Sequence, residues 1–150
     1  MINYLKSKEK KQFMSLIEKQ WGKCPELIKD KVLVRTGKDR IYMVNRDIEK
    51  VDLNKIRINT YGLYIAELKG ELRLSIEGAQ IIGREATQNV IAINDEQRKQ
   101  WFKGEDLEIE GEYSGFMILK HGTDFIGSGK YKEGKILNFV PKVRRLLETH

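Results

Sequence analysis

The sequence predicts an α+β protein built from an N-terminal α/β domain, residues 1–82, followed by a C-terminal β-barrel, residues 83–150. Two observations support this prediction. Helical and β-type patterns alternate in the first half, whereas after residue 106 only short β-rich runs at close spacing follow. Residues 83–89 (GREATQN) are polar and unpatterned, so they mark the expected boundary. Two cores of half-chain size would each be marginal alone, so we expect the two domains to share an interface.

The N-terminal half begins with an amphipathic helix. Ser7 is a plausible N-cap, and apolar residues at helical spacing predict a helix over residues 8–21. Gly22 and Pro25 follow as stop signals, and a second short helix can start at Pro25. β-rich runs predict one hairpin over residues 31–45 and another over residues 63–74, with a helical turn at 47–51 and a strand at 55–59 between them. Ser75 then caps a helix that runs to residue 82.

The C-terminal half opens with a strand at residues 90–93. Asn94 caps a short helix, and Gly104 is placed to end it. Strands are then predicted at residues 107–110, 116–120, 125–131 and 136–140. One helix near the start of a series of short strands is typical of a compact barrel.

Composition narrows the class of protein. With 40% hydrophobic and 33% charged residues the chain is globular rather than disordered. No apolar run approaches the ~20 residues of a membrane span. The single cysteine, Cys24, excludes a disulfide framework within the chain. Because no apolar leader is visible either, we expect the protein to reside in a reducing cytoplasm.

The charge is basic and unevenly distributed. The net charge is +6, and the first fifty residues supply all of it, with 13 Lys and Arg against 7 Asp and Glu. Residues 120–145 hold seven bases and two acids, which follow the acidic run 105–112. Such segregation indicates a basic face suited to a polyanion, although a merely solubilising surface predicts the same counts.

Motif-like detail is concentrated in the C-terminal half. The block NVIAINDEQRKQWFKGEDLE combines a strand, a short helix ending in glycine and an acidic step into the next strand. The segment DFIGSGKYKEGKILNFVPKVRR has a G-x-G strand, a basic turn and an N-x-x-P step into a basic tail. These features resemble the opening and closing parts of a PUA-type β-barrel. The closing pattern is similar to the PUA-like C-terminal segment of Sun-family ribosomal-RNA cytosine-C5 methyltransferases, and the whole layout resembles small two-domain ribosome-biogenesis factors.

The resemblance implies RNA binding without catalysis. The residues that it marks as facing RNA are Lys130, Lys132, Lys135, Asn138, Lys142, Arg144 and Arg145. The loop around Gly104 is a possible second contact. Phe139 lies within the same basic stretch and is the best candidate for stacking on an unpaired base, with the barrel core as the alternative.

Other chemistry finds little support in the sequence. Gly127 and Gly129 more often mark a bulge or a barrel corner than a close approach of RNA. The two histidines, His121 and His150, show no metal-binding or triad spacing, and no glycine-rich loop precedes a helix. We therefore expect no catalytic residues, no cofactor and no metal.

The sequence thus predicts a non-catalytic, cytoplasmic accessory factor that binds ribosomal or transfer RNA, in ribosome biogenesis or RNA modification. Ribosome-assembly proteins or an RNA methyltransferase are possible further partners; neither DNA nor a membrane is expected. Two alternatives stay open: a subunit or accessory domain of an RNA-modifying methyltransferase, and a protein-interaction adaptor that does not bind RNA.

Overall fold

The computed structural model of the chain describes residues 2–45, 62–141 and 144–145. The predicted turn at 47–51 and the predicted strand at 55–59 lie outside the described residues. The described helices are α1 (Ser7–Trp21), α2 (Glu26–Asp30), α3 (Ile76–Gly83) and α4 (Asp95–Phe102). The described strands are β1 (Asn3–Tyr4), β2 (Val32–Arg35), β3 (Arg40–Val44), β4 (Gly62–Lys69), β5 (Glu71–Leu74), β6 (Val90–Ala92), β7 (Leu107–Glu108), β8 (Gly115–His121), β9 (Asp124–Lys132) and β10 (Lys135–Leu137).

The N-terminal half is a five-stranded antiparallel sheet in the order β1-β2-β3-β4-β5. Both predicted hairpins are confirmed, as β2–β3 and β4–β5. Strand β1 was not predicted; it pairs Asn3 with Arg35 and Tyr4 with Val34 at the edge of the sheet. A two-residue strand carries no readable alternation, so only the pairing partner reveals it.

Helix α1 packs one apolar face against this sheet and buries Phe13, Ile17 and Trp21 completely. Its beginning differs from the prediction, because Ser7 is the first helical residue and Lys6 is the cap. The backbone N–H of Lys6 donates to the Glu9 carboxylate at 3.1 Å, so that carboxylate satisfies the start of the helix. Gly22 ends the helix as predicted, with a φ of +91°.

The C-terminal half is a second five-stranded sheet, in the order β6-β8-β9-β10-β7. The predicted closed barrel is wrong for the described residues, because no pairing joins the edge strands β6 and β7. A barrel closes only when its edges pair. Here the edge strands have three and two residues, and the chain between them forms α4, which covers that face of the sheet.

The G-x-G step of β9 makes room for Trp101 of α4. A Cβ on Gly129 would lie 2.6 Å from the Trp101 ring and 2.5 Å from the Leu137 carbonyl oxygen. Gly127 has a φ of +146° and lies next to a register shift in the β8–β9 pair. Gly127 therefore permits a bulge, and Gly129 permits a tight contact between helix and sheet. Structural roles of this kind are what the sequence favoured over a close approach of RNA.

One hydrophobic cluster extends across both halves, a second lies wholly in the C-terminal half, and α3 packs between the two sheets. Its small residues permit the contact: a Cβ on Gly78 would lie 2.0 Å from the Ile65 carbonyl oxygen, and one on Gly83 would lie 2.4 Å from the Phe125 ring. Phe116 and Ile118 of β8 belong to the same buried cluster as the core residues of α1. The expected shared interface is present, while the domain limits 1–82 and 83–150 stay a prediction.

The polar segment between the halves is held against the end of α1. The Thr87 backbone N–H donates to the Trp21 carbonyl at 2.8 Å, and Gln88 donates to the Lys19 carbonyl at 3.0 Å. Asn89 donates to the Gln20 carbonyl. The last carbonyls of a helix have no intrahelical partners, so this segment caps α1. None of the helices described has the length and apolar character needed to cross a membrane.

Candidate nucleic-acid interface

The β9–β10 hairpin presents three of the predicted lysines on one face. Lys130 and Lys132 alternate along β9, and Lys135 of β10 lies directly opposite Lys132. The connecting residues Glu133 and Gly134 have φ values of +51° and +80°, as a tight type I′ turn requires. Lys132 and Lys135 are exposed, and neither forms an ion pair with another described residue. The hairpin thus holds two like charges side by side at its exposed end.

Two other predicted bases already have carboxylate partners across the junction of the halves. Lys130 lies 2.8 Å from the Glu71 carboxylate of β5. Arg144 donates to both oxygens of Glu77 in α3, each at 3.1 Å. Exposed pairs of this kind contribute at most about 1 kcal/mol. A phosphate could therefore compete for either base, but it would have to displace the carboxylate.

The tail bases diverge from one another. Arg145 donates to the Val140 carbonyl at 3.0 Å, and its side chain covers Gly104, where a Cβ would lie 2.6 Å from Nε. Arg145 thus occupies the loop that the sequence analysis offered as a second contact, while Arg144 reaches α3. Lys142 lies outside the described residues.

Asn138 has a structural role. Its Nδ2 donates to the Trp101 and Glu105 carbonyls, both at 2.8 Å, and its Oδ1 accepts from the Val140 N–H at 2.8 Å. The Asn138 backbone N–H donates to Asp106 at 2.8 Å. These bonds end β10 at Leu137, three residues before the predicted limit, and cap the carbonyl end of α4. The amide is therefore engaged inside the protein.

Phe139 is the most exposed of the aromatic candidates, with 38% of its surface accessible. Its ring centre lies 5.7 Å from that of Phe116 and 4.8 Å from the guanidinium carbon of Arg73 in β5. Tyr131 of β9 points to the opposite side, where its hydroxyl donates to the Ile109 carbonyl at 2.9 Å. Phe139 thus presents an exposed ring at the junction of the two halves, on the side of the sheet opposite to Tyr131.

A cleft opens beside Phe139 between the two sheets, with a volume of about 140 Å³. We call it the junction cleft; its lining includes Arg40, Tyr64, Arg73, Trp101, Phe139 and Arg144. A second depression, the hairpin recess, is lined by Glu67, Lys69, Glu71, Arg73, Phe116, Lys130 and Phe139. Arg73 and Phe139 line both, so the two depressions adjoin and together form a groove that runs from Lys130 to Arg144.

The floor of the groove is partly shielded from water. Burial, together with the Glu67 carboxylate, raises the pKa of Tyr64 above its ordinary value, against a smaller opposing effect of Arg73 and Arg40. The Arg40 guanidinium lies 5.3 Å from the centre of the Tyr64 ring, and Arg73 pairs with Glu67. These contacts hold two guanidinium groups in place on the N-terminal side.

Three residues that line the groove, Arg40, Tyr64 and Arg73, were not predicted from the sequence. The available signal was weak: Arg73 lies between Leu72 and Leu74 in a strand, which predicts only that it faces away from the core. Nothing in the order of residues indicates that this face of β5 meets Phe139, 66 positions later in the chain, because that contact depends on how the two sheets pack.

The C-terminal half of the chain contains a PUA-type domain that resembles the C-terminal domain of Sun-family methyltransferases. Residues 88–146 match the family described as the Methyltransferase RsmF PUA domain. The predicted resemblance to the PUA-like segment of Sun-family methyltransferases is thereby confirmed, while the resemblance of the whole layout to ribosome-biogenesis factors stays a prediction.

Curated relatives agree with this family. The chain is 27% identical, over 92 residues, to the ribosomal RNA small subunit methyltransferase F of Vibrio cholerae serotype O1 (strain M66-2), covering 60% of this chain and 20% of the relative. It is 30% identical, over 90 residues, to the protein of the same name from Aeromonas salmonicida (strain A449), covering 59% of this chain and 19% of the relative. The chain spans about a fifth of the length of these relatives.

Proposed function

We propose that this chain is a non-catalytic RNA-binding factor that grips RNA backbone with the β9–β10 hairpin. The observation that carries the proposal is the pairing of Lys132 with Lys135 on one exposed face, without an ion-pair partner among the described residues. Cations held side by side on a rigid hairpin can neutralise neighbouring phosphates and release their counterions.

RNA is the polyanion that the comparisons favour. Residues 88–146 match a PUA domain of a methyltransferase, and the relatives are named as ribosomal RNA methyltransferases. Ribosome biogenesis or ribosomal RNA modification, in the cytoplasm, is therefore the setting that we propose. Lys130 and Arg144 would also bind phosphates once these displace the carboxylates of Glu71 and Glu77. Asn138 would not touch RNA but would hold the end of the hairpin in place through its hydrogen bonds to backbone carbonyls.

The test compares two double variants that remove the same charge. Lys132→Ala/Lys135→Ala changes the hairpin; Lys8→Ala/Lys11→Ala changes exposed lysines of α1 and is the control. RNA affinity is measured by fluorescence anisotropy from 50 to 300 mM salt. Losing two phosphate contacts should flatten the slope of log affinity against log salt by about 1.4 for a single strand, while the control keeps the wild-type slope. Equal flattening in both variants would show that net charge alone acts.

A second candidate is that the chain provides RNA binding to a methyltransferase rather than acting alone. The matched region covers only about a fifth of the methyltransferases that it resembles, and this favours a role as one part of a larger enzyme system. Neither candidate expects catalysis by the isolated chain. Incubating the purified protein with ribosomal RNA and a radiolabelled methyl donor should transfer no label; reproducible labelling would overturn the non-catalytic assignment.

A further inference from the structure

The junction cleft has features that backbone gripping by the hairpin does not use. It is smaller than the roughly 300 Å³ at which sites for drug-sized ligands begin, so it suits a single flat group. Three arginines line it, and its acidic lining residue, Glu77, is already paired with Arg144. Among the described residues Arg40 forms no ion pair, so the cleft retains a positive charge for an anion.

The aromatic residues of the cleft hold the arginines in position. Arg40 lies over the Tyr64 ring and Arg73 lies over the Phe139 ring, at 5.3 and 4.8 Å. Both the guanidinium plane and the aromatic ring are surfaces on which unpaired bases stack. Because these side chains are already ordered by their contacts with one another, a ligand would lose less entropy on binding them.

A polar group at the base of the cleft lacks a partner. Trp101 is fully buried and its indole N–H makes no hydrogen bond to any residue that the structure describes, although a buried tryptophan N–H normally finds one. The Trp101 Nε1 atom lies 3.4 Å from the point where a Cβ on Gly127 would stand, and Gly127 itself lines the cleft. The absence of a side chain there leaves the N–H edge of the indole next to the cleft.

We infer that the junction cleft binds one unpaired nucleotide: its base stacks against Phe139 and Arg73, a base carbonyl accepts the Trp101 N–H, and its phosphate meets Arg40. This inference rests on the proposed RNA-binding function and deepens it. It makes the chain selective for RNA that offers an unpaired position beside the segment held by the hairpin. A free nucleotide has the same chemistry, so the experiment must separate the two sources.

The two tryptophans provide the readout. Trp21 is the other tryptophan; its indole N–H is also buried and has no partner in the described part of the chain, where no arginine lines the groove beside it. In the ¹⁵N-labelled protein the two indole N–H signals can be assigned with Trp21→Phe. A ten-nucleotide single-stranded RNA should shift the Trp101 signal and leave the Trp21 signal in place. The same strand annealed to its complement should not shift the Trp101 signal.

Affinities complete the test. Phe139→Leu keeps an apolar side chain but removes the aromatic face, and it should weaken single-strand binding about tenfold and duplex binding not at all. The hairpin variant Lys132→Ala/Lys135→Ala should weaken both. If the hairpin variant weakens both RNAs while Phe139→Leu and the Trp101 signal show no response, the cleft inference fails and the proposed function stands. If the wild-type protein binds neither RNA, the proposed function itself fails.

The mononucleotides uridine and adenosine 5′-monophosphate form the last arm. We expect them to shift the Trp101 signal only weakly, at millimolar concentration, because they lack the contacts to the hairpin. A mononucleotide that binds more tightly than the ten-nucleotide strand would overturn RNA as the source of the ligand.

Discussion

The guanidinium carbon of Arg73 lies 4.8 Å from the centre of the Phe139 ring, so a residue of the first sheet is in contact with the segment that follows the last strand of the second. Arg73 also pairs with Glu67 on the neighbouring strand, and Phe139 packs on Phe116. This contact joins the junction cleft to the hairpin recess and makes the groove a product of both halves of the chain.

The Arg73–Phe139 contact should contribute to stability as well as to the groove. We predict a coupling energy of about 0.5–1 kcal/mol between Arg73→Ala and Phe139→Ala, because the pair is partly exposed to water. Urea unfolding of the wild type, both single variants and the double variant gives this energy. Strictly additive losses would show that the ring and the guanidinium merely lie near each other.

Asn138 should matter for folding rather than for direct RNA contact. Asn138→Ala removes three side-chain hydrogen bonds to backbone groups and should lower the free energy of unfolding by about 2–3 kcal/mol. Lys132→Ala in the same hairpin is the control, with a change within about 0.5 kcal/mol. Below its unfolding transition, Asn138→Ala should retain wild-type RNA affinity. A fully stable variant that no longer binds RNA would instead place the amide on the ligand.

Gly129 should tolerate no side chain. Gly129→Ala places a Cβ 2.5 Å from the Leu137 carbonyl oxygen and 2.6 Å from the Trp101 ring, and backbone cannot yield as a flexible side chain can. We expect a loss of about 3 kcal/mol or more in the free energy of unfolding. Gly134→Ala is the comparison: nothing lies within 4 Å, and only its φ of +80° opposes the change, at a cost of about 1 kcal/mol. Thermal unfolding that ranks Gly134→Ala as the worse variant would contradict the packing of Trp101 on β9.

Cys24 should make stability depend on alkaline pH. Burial raises the pKa of its thiol from 9.0 to about 11, against a smaller lowering by Lys29. The unfolded chain therefore loses this proton at lower pH than the folded chain. The stabilisation is complete below pH 9 and is lost as pH rises from about 9 to 11, by up to about 3 kcal/mol.

Cys24→Ala provides the control for that prediction, because lysines and tyrosines titrate in the same range. The wild type should lose more stability than Cys24→Ala between pH 8.5 and 10.5 in urea titrations. A disulfide reagent at pH 8 should also modify the native thiol far more slowly than the thiol in urea. Parallel pH profiles for the two proteins, or rapid native modification, would show that the thiol is accessible.

Local features were readable from the sequence because local chemistry sets them. Ser75 and Asn94 cap their helices through side-chain bonds to Gly78 and Gln97, three residues on, as their residue types predict. Gly22 and Gly104 both adopt the positive φ that helix-ending glycines favour. The predicted cap at Ser7 was wrong by one residue. Lys6 is the cap, and its backbone N–H donates to the Glu9 carboxylate.

The sequence by itself determined the α+β class, most of the helices and hairpins, the PUA-type character of the C-terminal half and the lysine face of the last hairpin. These depend on periodicity, capping and turn residues that lie within a few positions of one another. The tertiary structure alone decided that the second sheet stays open, that Asn138 turns inward, and that Arg40 and Arg73 meet Phe139. Each of these depends on contacts between residues that are far apart in the chain. Periodicity, capping and turn residues describe only neighbouring positions, so they cannot predict such contacts.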